Sequence, residues 1–497
     1  MKIKTNHRSI GRIALFAAAT LLAACTVGQD FQRPQAPAAT AYVSEPLPSL
    51  QDGNGHADGQ HLAAGTLAAG DWWSGFHCAA LDQTMRQALA GNRGLAAAQA
   101  TLAQAREAVA ASGGALYPQL GLDAGAGREK YGAQFSGPQT IPPFTYYSVG
   151  PSVSYLLDYT GGQRRAIEQQ QAQAEYQAFQ LQAAALSLTG NVMQQALNAA
   201  SAQAQLDALQ ALLEQDRKNL SLVQTAFAAG SISRVDVLSA QSQLANDQTL
   251  LPPLRQQLSA ARHALSILAG RAPAQWTPPE FTLEQMQLPQ SLPLSLPSEL
   301  AHRRPDILAA EAQLHAATAA VGVATSRLYP QISLSASLGQ QSTTLSHLFD
   351  GSANVWGLAA GLSAPLFDGG TLRAQRRGAQ DAARAALAGY EQVVLQSFGQ
   401  VADVLTALDH DAELLAAQKN ALDSADANLQ LTRQSYSAGN VGVLQVLDAQ
   451  RLYQQGLLGE VRAQAQRYQD TAQLFLALGG STPLQVASAA SGLAVRP

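Results

Sequence analysis

The placement of proline constrains this chain more than any other feature. It contains 22 prolines, yet none falls between Pro151 and Pro252 or between Pro365 and Pro483. A proline inside a helix removes a hydrogen bond and clashes with the preceding turn, so a stretch without it is where a long helix can persist. Both runs are rich in Ala, Gln and Leu, which are good or tolerable helix formers. Helices of globular proteins rarely exceed about 25 residues, and runs of this size predict helices far longer than that. Compact α/β enzymes are a poor fit. Charged residues make up 13% of the chain, against about 25% in an ordinary globular domain. A net charge of −4 leaves no basic footprint for nucleic acid.

The N-terminus carries an address. Lys2, Lys4, Arg8 and Arg12 form a basic region, and Ile13 to Thr20 an apolar stretch too short to span a bilayer. It closes on Leu22-Ala23-Ala24-Cys25, which resembles the lipobox of bacterial lipoproteins, where cleavage precedes the cysteine and lipid is attached to its sulfur. Each buried CH₂ of an acyl chain contributes about 0.8 kcal/mol, so several chains anchor a protein firmly. Thr26, rather than an Asp, follows the cysteine and resembles the signal for the outer membrane. An ordinary cleaved signal peptide is the alternative. Cys78 is then the one cysteine left, which excludes an internal disulfide; beside Phe76 it reads as a small buried hydrophobe.

The chain also repeats itself at an offset of roughly 210 residues. Leu116-Tyr117-Pro118-Gln119 returns as Leu328-Tyr329-Pro330-Gln331, and Ala229-Gly230-Ser231 as Ala438-Gly439-Asn440. Val237-Leu238-Ser239-Ala240-Gln241 returns as Val446-Leu447-Asp448-Ala449-Gln450.

Each copy opens with a helix of some 30 residues that ends before the Tyr-Pro pair, because the residue before a proline is pushed out of the α region. The second copy of this helix starts at Arg304-Pro305-Asp306, with proline in the tolerated first turn. Two stretches of strict alternation follow. Leu120, Leu122, Ala124 and Ala126 share one parity; Tyr147, Val149, Val153 and Tyr155 oppose Ser148, Ser152 and Ser154; Ile332, Leu334, Ala336 and Leu338 oppose Ser333, Ser335 and Ser337. Alternation of apolar with small polar residues is the signature of membrane β-barrel strands. Val355 to Leu366 is apolar on both parities and assigns no lipid face. The loops near 128–146 and 340–354 carry the turn residues of hairpin tips.

The long helices are expected over about 163–227 and 372–436, turning at Gly230 and Gly439 and returning to Leu268 and Leu476. At 1.5 Å per residue, 65 residues span about 100 Å. Pro252-Pro253 and Gly459 occupy equivalent places on the return arms, so each arm is expected to break into two stacked helices. Four strands of about ten residues cross a bilayer but cannot close a barrel, and open edges are not tolerated in lipid. Two chains give eight strands, whose interior fills with side chains. Three give twelve, the smallest simple solution that leaves a pore.

The lipobox at Cys25, Trp72-Trp73-x-x-Phe76, Arg304-Pro305-Asp306-Ile307, the two Tyr-Pro-Gln sequences, Ser435-Tyr436-x-Ala438-Gly439, Val446 to Gln450 and Leu478-Gly479-Gly480 resemble the TolC-like outer-membrane efflux proteins. The likeness is to their lipoprotein, NodT-type branch, and runs from about residue 25 to 480; Ser481-Thr482 stands where many relatives have Gly-Trp. The resemblance implies a mainly α chain with a membrane β-barrel: a homotrimeric 12-stranded barrel, four strands from each chain, continued by a long periplasmic α-helical barrel. The corresponding divisions are a signal peptide over 1–24, a lipidated segment and part of an equatorial domain over 25–75, and a first repeat over 76–270. A Pro-rich equatorial linker over 271–297, a second repeat over 298–480 and a tail over 481–497 follow.

By the same resemblance the chain is the passive outer-membrane exit channel of a tripartite efflux system in a Gram-negative bacterium. Its partners are a periplasmic adaptor protein, an inner-membrane pump and outer-membrane lipid. Ala229, Gly230, Ser231, Ala438, Gly439 and Asn440 match adaptor-facing tips; equally, the glycines permit a tight reversal with positive φ. Asp236, Asp448, Tyr436 and Leu444 match residues of a closed periplasmic gate. A ring of carboxylates selects cations. Asp236 aligns with Gln445 and Asp448 with Ser239, so each repeat carries its acid at a different level. The alternative for either aspartate is a first-turn helix residue stabilised by the helix dipole. No catalytic, cofactor or metal motif is found: the nine histidines are scattered, and Gly125-Ala126-Gly127 sits in a strand. Two rival readings are a type I protein-secretion conduit and, from another class, an envelope-spanning coiled-coil scaffold or adaptor lipoprotein. The second predicts a single helical hairpin and no alternating strands.

Overall fold

A computed structural model describes residues 26–35, 39, 41–44, 60–66, 70–132 and 141–480. Cys25 with the leader, the centre of the first hairpin loop (133–140) and the tail 481–497 lie outside them. In chain order the labelled elements begin with β1 (His61–Ala64), α1 (Ala79–Gly91), α2 (Arg93–Gly113), β2 (Gln119–Glu129) and β3 (Phe144–Leu157). They continue with α3 (Gly162–Ala228), α4 (Arg234–Gln248), α5 (Leu251–Leu268), β4 (Ser291–Leu294) and α6 (Pro305–Ser326). The last are β5 (Gln331–Ser342), β6 (Asn354–Ser363), α7 (Thr371–Ser437) and α8 (Val443–Ala477).

The two proline-free runs form the two longest helices, α3 and α7, each of 67 residues. Both begin within one residue of where the composition places them, just after the strands that precede them. Asp158 and Asp368 accept hydrogen bonds from the backbone N–H groups that open α3 and α7. These are the donors a helix start leaves unsatisfied.

Two expectations are revised. The opening helix of the first copy is two helices, α1 and α2, parted at Asn92. Its side-chain oxygen accepts from Leu95 N–H (3.0 Å) and its amide donates to the Leu268 carbonyl at the end of α5 (2.9 Å). The first return arm does divide, into α4 and α5, with the prolines in the first turn of α5. The second arm does not: α8 runs unbroken for 35 residues through Gly459. Glycine weakens a helix but keeps its N–H, so the hydrogen-bond ladder survives where proline would remove a rung. On α8, Gly456 instead allows close packing, since a Cβ there would lie 3.0 Å from the Leu422 Cα of α7.

The chain divides into two compact units. One holds residues up to Pro34, Thr101–Gln177 and Ala309–Glu391. It contains an antiparallel sheet in the order β2-β3-β5-β6, whose outer edges on β2 and β6 have no partner among the described residues. The register pairs Leu120 with Val153, Val153 with Ala336, and Ala336 with Leu358. Directly opposed residues share a face, so the apolar sets of all four strands coincide. This settles β6: Trp356, Leu358, Ala360 and Leu362 lie opposite Leu338, Ala336, Leu334 and Ile332 and complete one apolar face. The other face carries Ser148, Ser152, Ser154, Ser333, Ser335 and Ser337. In the same unit the segment 28–34 is held by ion pairs, Asp30 to Arg165 and Arg33 to Glu311, and by Phe31 stacked on His315.

The second unit holds Gln35–Ala100, Ala178–Leu308 and the chain from Gln392 onward. Here β1 and β4 pair in parallel, joining the N-terminal segment to the Pro-rich linker. Trp72, Phe76, Leu81 and Met85 are fully buried, with Phe475 of α8 stacked on Trp72. Cys78 is buried and unbonded, as a small hydrophobe should be.

Candidate functional site

The ends of α3 and α7 close in the same way. Ser231 N–H donates to the Ala226 carbonyl and Gly230 N–H to Phe227; Asn440 N–H donates to Ser435 and Gly439 N–H to Tyr436. This is the double-bonded termination that requires a left-handed residue after the helix, and φ is +75° at both Gly230 and Gly439. Ala229, Gly230, Ser231, Ala438, Gly439 and Asn440 are all exposed. A Cβ added at either glycine would meet nothing within 4 Å, so backbone conformation rather than crowding demands glycine there.

Behind the turns the two hairpins share one apolar cluster. Val223 of α3, Ala240 of α4, and Val443 and Leu447 of α8 are buried together, with Tyr436 of α7 packed against them. Tyr436 thus ties one hairpin to the other, whereas Leu444, one residue past Val443, is exposed.

The two candidate gate acids differ in their surroundings. Asp236 is the third residue of α4, and its carboxylate accepts from Ser233 N–H (2.9 Å) and Ser233 Oγ–H (2.8 Å) while Ser233 caps the helix. Its first-turn role is therefore present in the structure. Asp448 is not a first-turn residue, because α8 starts at Val443. It is exposed and pairs with Arg451 at 2.7 Å.

Other polar groups on these helices escape the sequence motifs. Asp216 of α3 and Asp247 of α4 are both buried, and Gln450 and Gln454, one turn apart on α8, donate to them. Burial, then the neighbouring Asp247 carboxyl, push the Asp216 carboxyl up to about 7. A second buried acid, Asp411 of α7, faces Asp470 of α8 and is likewise pushed to about 7 by burial first, with Arg467 opposing the shift. The available signal is periodicity: Asp216 continues the buried stripe Leu206, Leu209, Leu213 and stands where an apolar residue is due. Arg304 of the Arg-Pro-Asp motif is buried, bonds Asp306 at 2.9 Å and donates to the Ala477 carbonyl at the end of α8 (2.8 Å). Among the described residues, Asp409, His410 and Glu413 alone form a group of three whose ligand atoms fall within 4.8 Å of one another; His410 and Glu413 are exposed.

Long paired helices joined to an alternating apolar–polar sheet are the architecture of a channel-forming protein of the outer membrane. The family model described as "Outer membrane efflux protein" matches residues 84–271 and 296–480, and the chain belongs to that family. It is 31% identical to the pyoverdine export outer membrane protein OpmQ of Pseudomonas aeruginosa, over 85% of this chain and 90% of that protein. It is 30% identical to the toluene efflux pump outer membrane protein TtgI of Pseudomonas putida, over 93% and 96%. The solved outer-membrane channel OprN superposes with a TM-score of 0.83 at 29% identity, covering 92% of this chain and 99% of that one. The chain is an outer-membrane exit channel of a Gram-negative efflux system.

Proposed function

We propose that three copies of the chain build one tube, with a 12-stranded barrel in the outer membrane and the long helices forming its periplasmic wall. The observation that carries this reading is the four-stranded sheet, apolar on one face and serine-lined on the other, whose two edges have no partner among the described residues. In hydrocarbon each unpaired backbone group costs several kcal/mol, and pairing β6 of one copy with β2 of the next removes both edges. The apolar face of Leu120, Leu122, Leu338 and Leu358 then meets lipid, and the serine face lines the lumen.

In this reading Cys25 carries a lipid anchor, and the divisions are leader 1–24, lipidated segment 25–75, repeats 76–270 and 298–480, linker 271–297 and tail 481–497. A periplasmic adaptor docks on Ala229 to Ser231 and Ala438 to Asn440, and an inner-membrane pump supplies the energy. Asp236, Asp448, Tyr436 and Leu444 form the gate. The relatives named for pyoverdine and for toluene carry unlike molecules, which fits a conduit that leaves selection to the pump. Light scattering of the detergent-purified protein tests the assembly: a trimer is expected, and a monomer or dimer would overturn the 12-stranded barrel.

A further inference from the structure

Buried carboxyl pairs are unusual, since two like charges brought out of water disfavour each other strongly. Asp216 and Asp247 are such a pair, 3% and 5% exposed. They sit on opposite arms of the first hairpin, and α8 of the second hairpin supplies a donor to each. Gln450 of α8 donates to Asp216 Oδ1 while accepting from Asn219 of α3. Gln454 of α8 donates to Asp247 Oδ1 at 3.2 Å, and Gln243 of α4 donates to its other oxygen at 2.8 Å. Each carboxylate is thus supplied with neutral amide donors. One atom is left over: Asp216 Oδ2 is buried and has no donor. Among the described residues, neither acid of the pair makes an ion pair. Glu214, Arg217 and Lys218, the charged neighbours of Asp216 on α3, are exposed and engage one another, and Arg451 of α8 is held by Asp448. Asp247 is the titratable group whose charge acts on Asp216.

We propose that Asp216 and Asp247 share one proton and act as a latch that fastens α3, α4 and α8 together behind the turns, so that losing this proton loosens the tip end of the hairpins. The missing donor to Asp216 Oδ2 is the shared proton. With it in place the two acids are bonded and only one negative charge is buried. Without it two carboxylates repel across the α3–α4 seam, and the amides of Gln450 and Gln454 hold two charges instead of one. The apolar cluster of Val223, Ala240, Val443 and Leu447 joins the same helices, so loosening the latch weakens the packing that ties one hairpin to the other. The sign follows from linkage. A carboxyl whose folded pKa is raised, here from 3.8 to about 7, holds a proton that the separated state releases, so the latch weakens as pH rises through that interval and is weakest above it. The Asp411–Asp470 pair lies beside Arg467, which favours its charged form, and it involves α7 and α8 alone.

The effect on conduction rests on the reading of the tips as the periplasmic entrance, so the test has two readouts. In planar bilayers, the open probability of the full-length protein should rise about ten-fold between pH 6 and pH 8, the ratio linkage gives for a group moving between these two pKa values. In Asp216→Asn and Asp247→Asn the amide replaces the shared proton, and the rise should vanish, with the variants fixed at the low-pH behaviour. Asp448→Ala should keep the rise while altering conductance. Thermal unfolding in detergent reads the latch without a channel: Tm should fall from pH 6 to pH 8 in the native protein and fall less in both amide variants. A rise that persists in both amide variants, or an equal fall in Tm in all three proteins, overturns the latch. If no protein conducts but the Tm pattern holds, the latch stands and the channel reading fails.

Discussion

Asp448 and Asp236 look alike as candidate gate residues, but the structure separates them. Asp236 is committed to its helix through Ser233, so its removal also removes part of a capping box, an interaction whose loss at the cap costs about 1 kcal/mol. Asp448 is held by the exposed Arg451 alone among the described residues, which makes it the cleaner probe. Asp448→Ala is expected to enlarge single-channel conductance and weaken cation preference; unchanged values for both would take Asp448 out of the gate. Arg304 acts in another way. It neutralises Asp306 and satisfies a carbonyl where α8 ends, at the negative pole of that helix. Arg304→Met keeps much of the volume but leaves that carbonyl without its side-chain donor and Asp306 with the Ile307 N–H alone, a loss of about 1–3 kcal/mol. Thermal unfolding should show it, and an unaltered Tm would contradict the role given to Arg304.

At the scale of elements, strand parity decides where charge is tolerated. Leu358 lies opposite Ala336 on the apolar face, 76% exposed in the single chain, while Ser335 lies on the serine face. An arginine at the bilayer midplane costs about 2–4 kcal/mol on a lipid-facing position and little in a lumen. Leu358→Arg should sharply reduce the amount of protein assembled in outer-membrane fractions, and Ser335→Arg should not; equal losses would contradict the assignment of faces. Much of this level was legible before folding. Alternation marked three strands, and the prolines and glycines marked where the long helices start, turn and stop. The parity of β6 was not legible, because Val355 to Leu366 is apolar on both sides and only its pairing with β5 selects Trp356, Leu358 and Leu362. The unbroken α8 was misjudged because Gly459 stands where the first arm has Pro252 and Pro253. Equivalent position does not make glycine equivalent to proline.

For the whole molecule, the sheet of the single chain is open at both edges among the described residues. In the proposed trimer, function is a property of the assembly and of the pump that would feed it. Deleting the gene should raise sensitivity to some dyes, antibiotics or aromatic acids and increase their accumulation in cells, with both restored by the native gene. No change in any accumulation assay would count against efflux. The helix reversals were legible through the repeated Ala-Gly motif, and the gate candidates came from the family resemblance; periodicity places Asp216 on the buried stripe of α3, but nothing along the chain supplies Asp247 as its neighbour.

The sequence by itself determined what depends on near neighbours along the chain: where helices can run, where glycine must reverse them, and which strands alternate. These follow from backbone sterics and side-chain period, which act over a few residues. Only the tertiary structure decided the face of β6, the continuity of α8, the two bodies of the opening helix and the meeting of Asp216 with Asp247. Each of these depends on a partner distant in the chain or on a contact made across a helix seam, and no local rule supplies that partner.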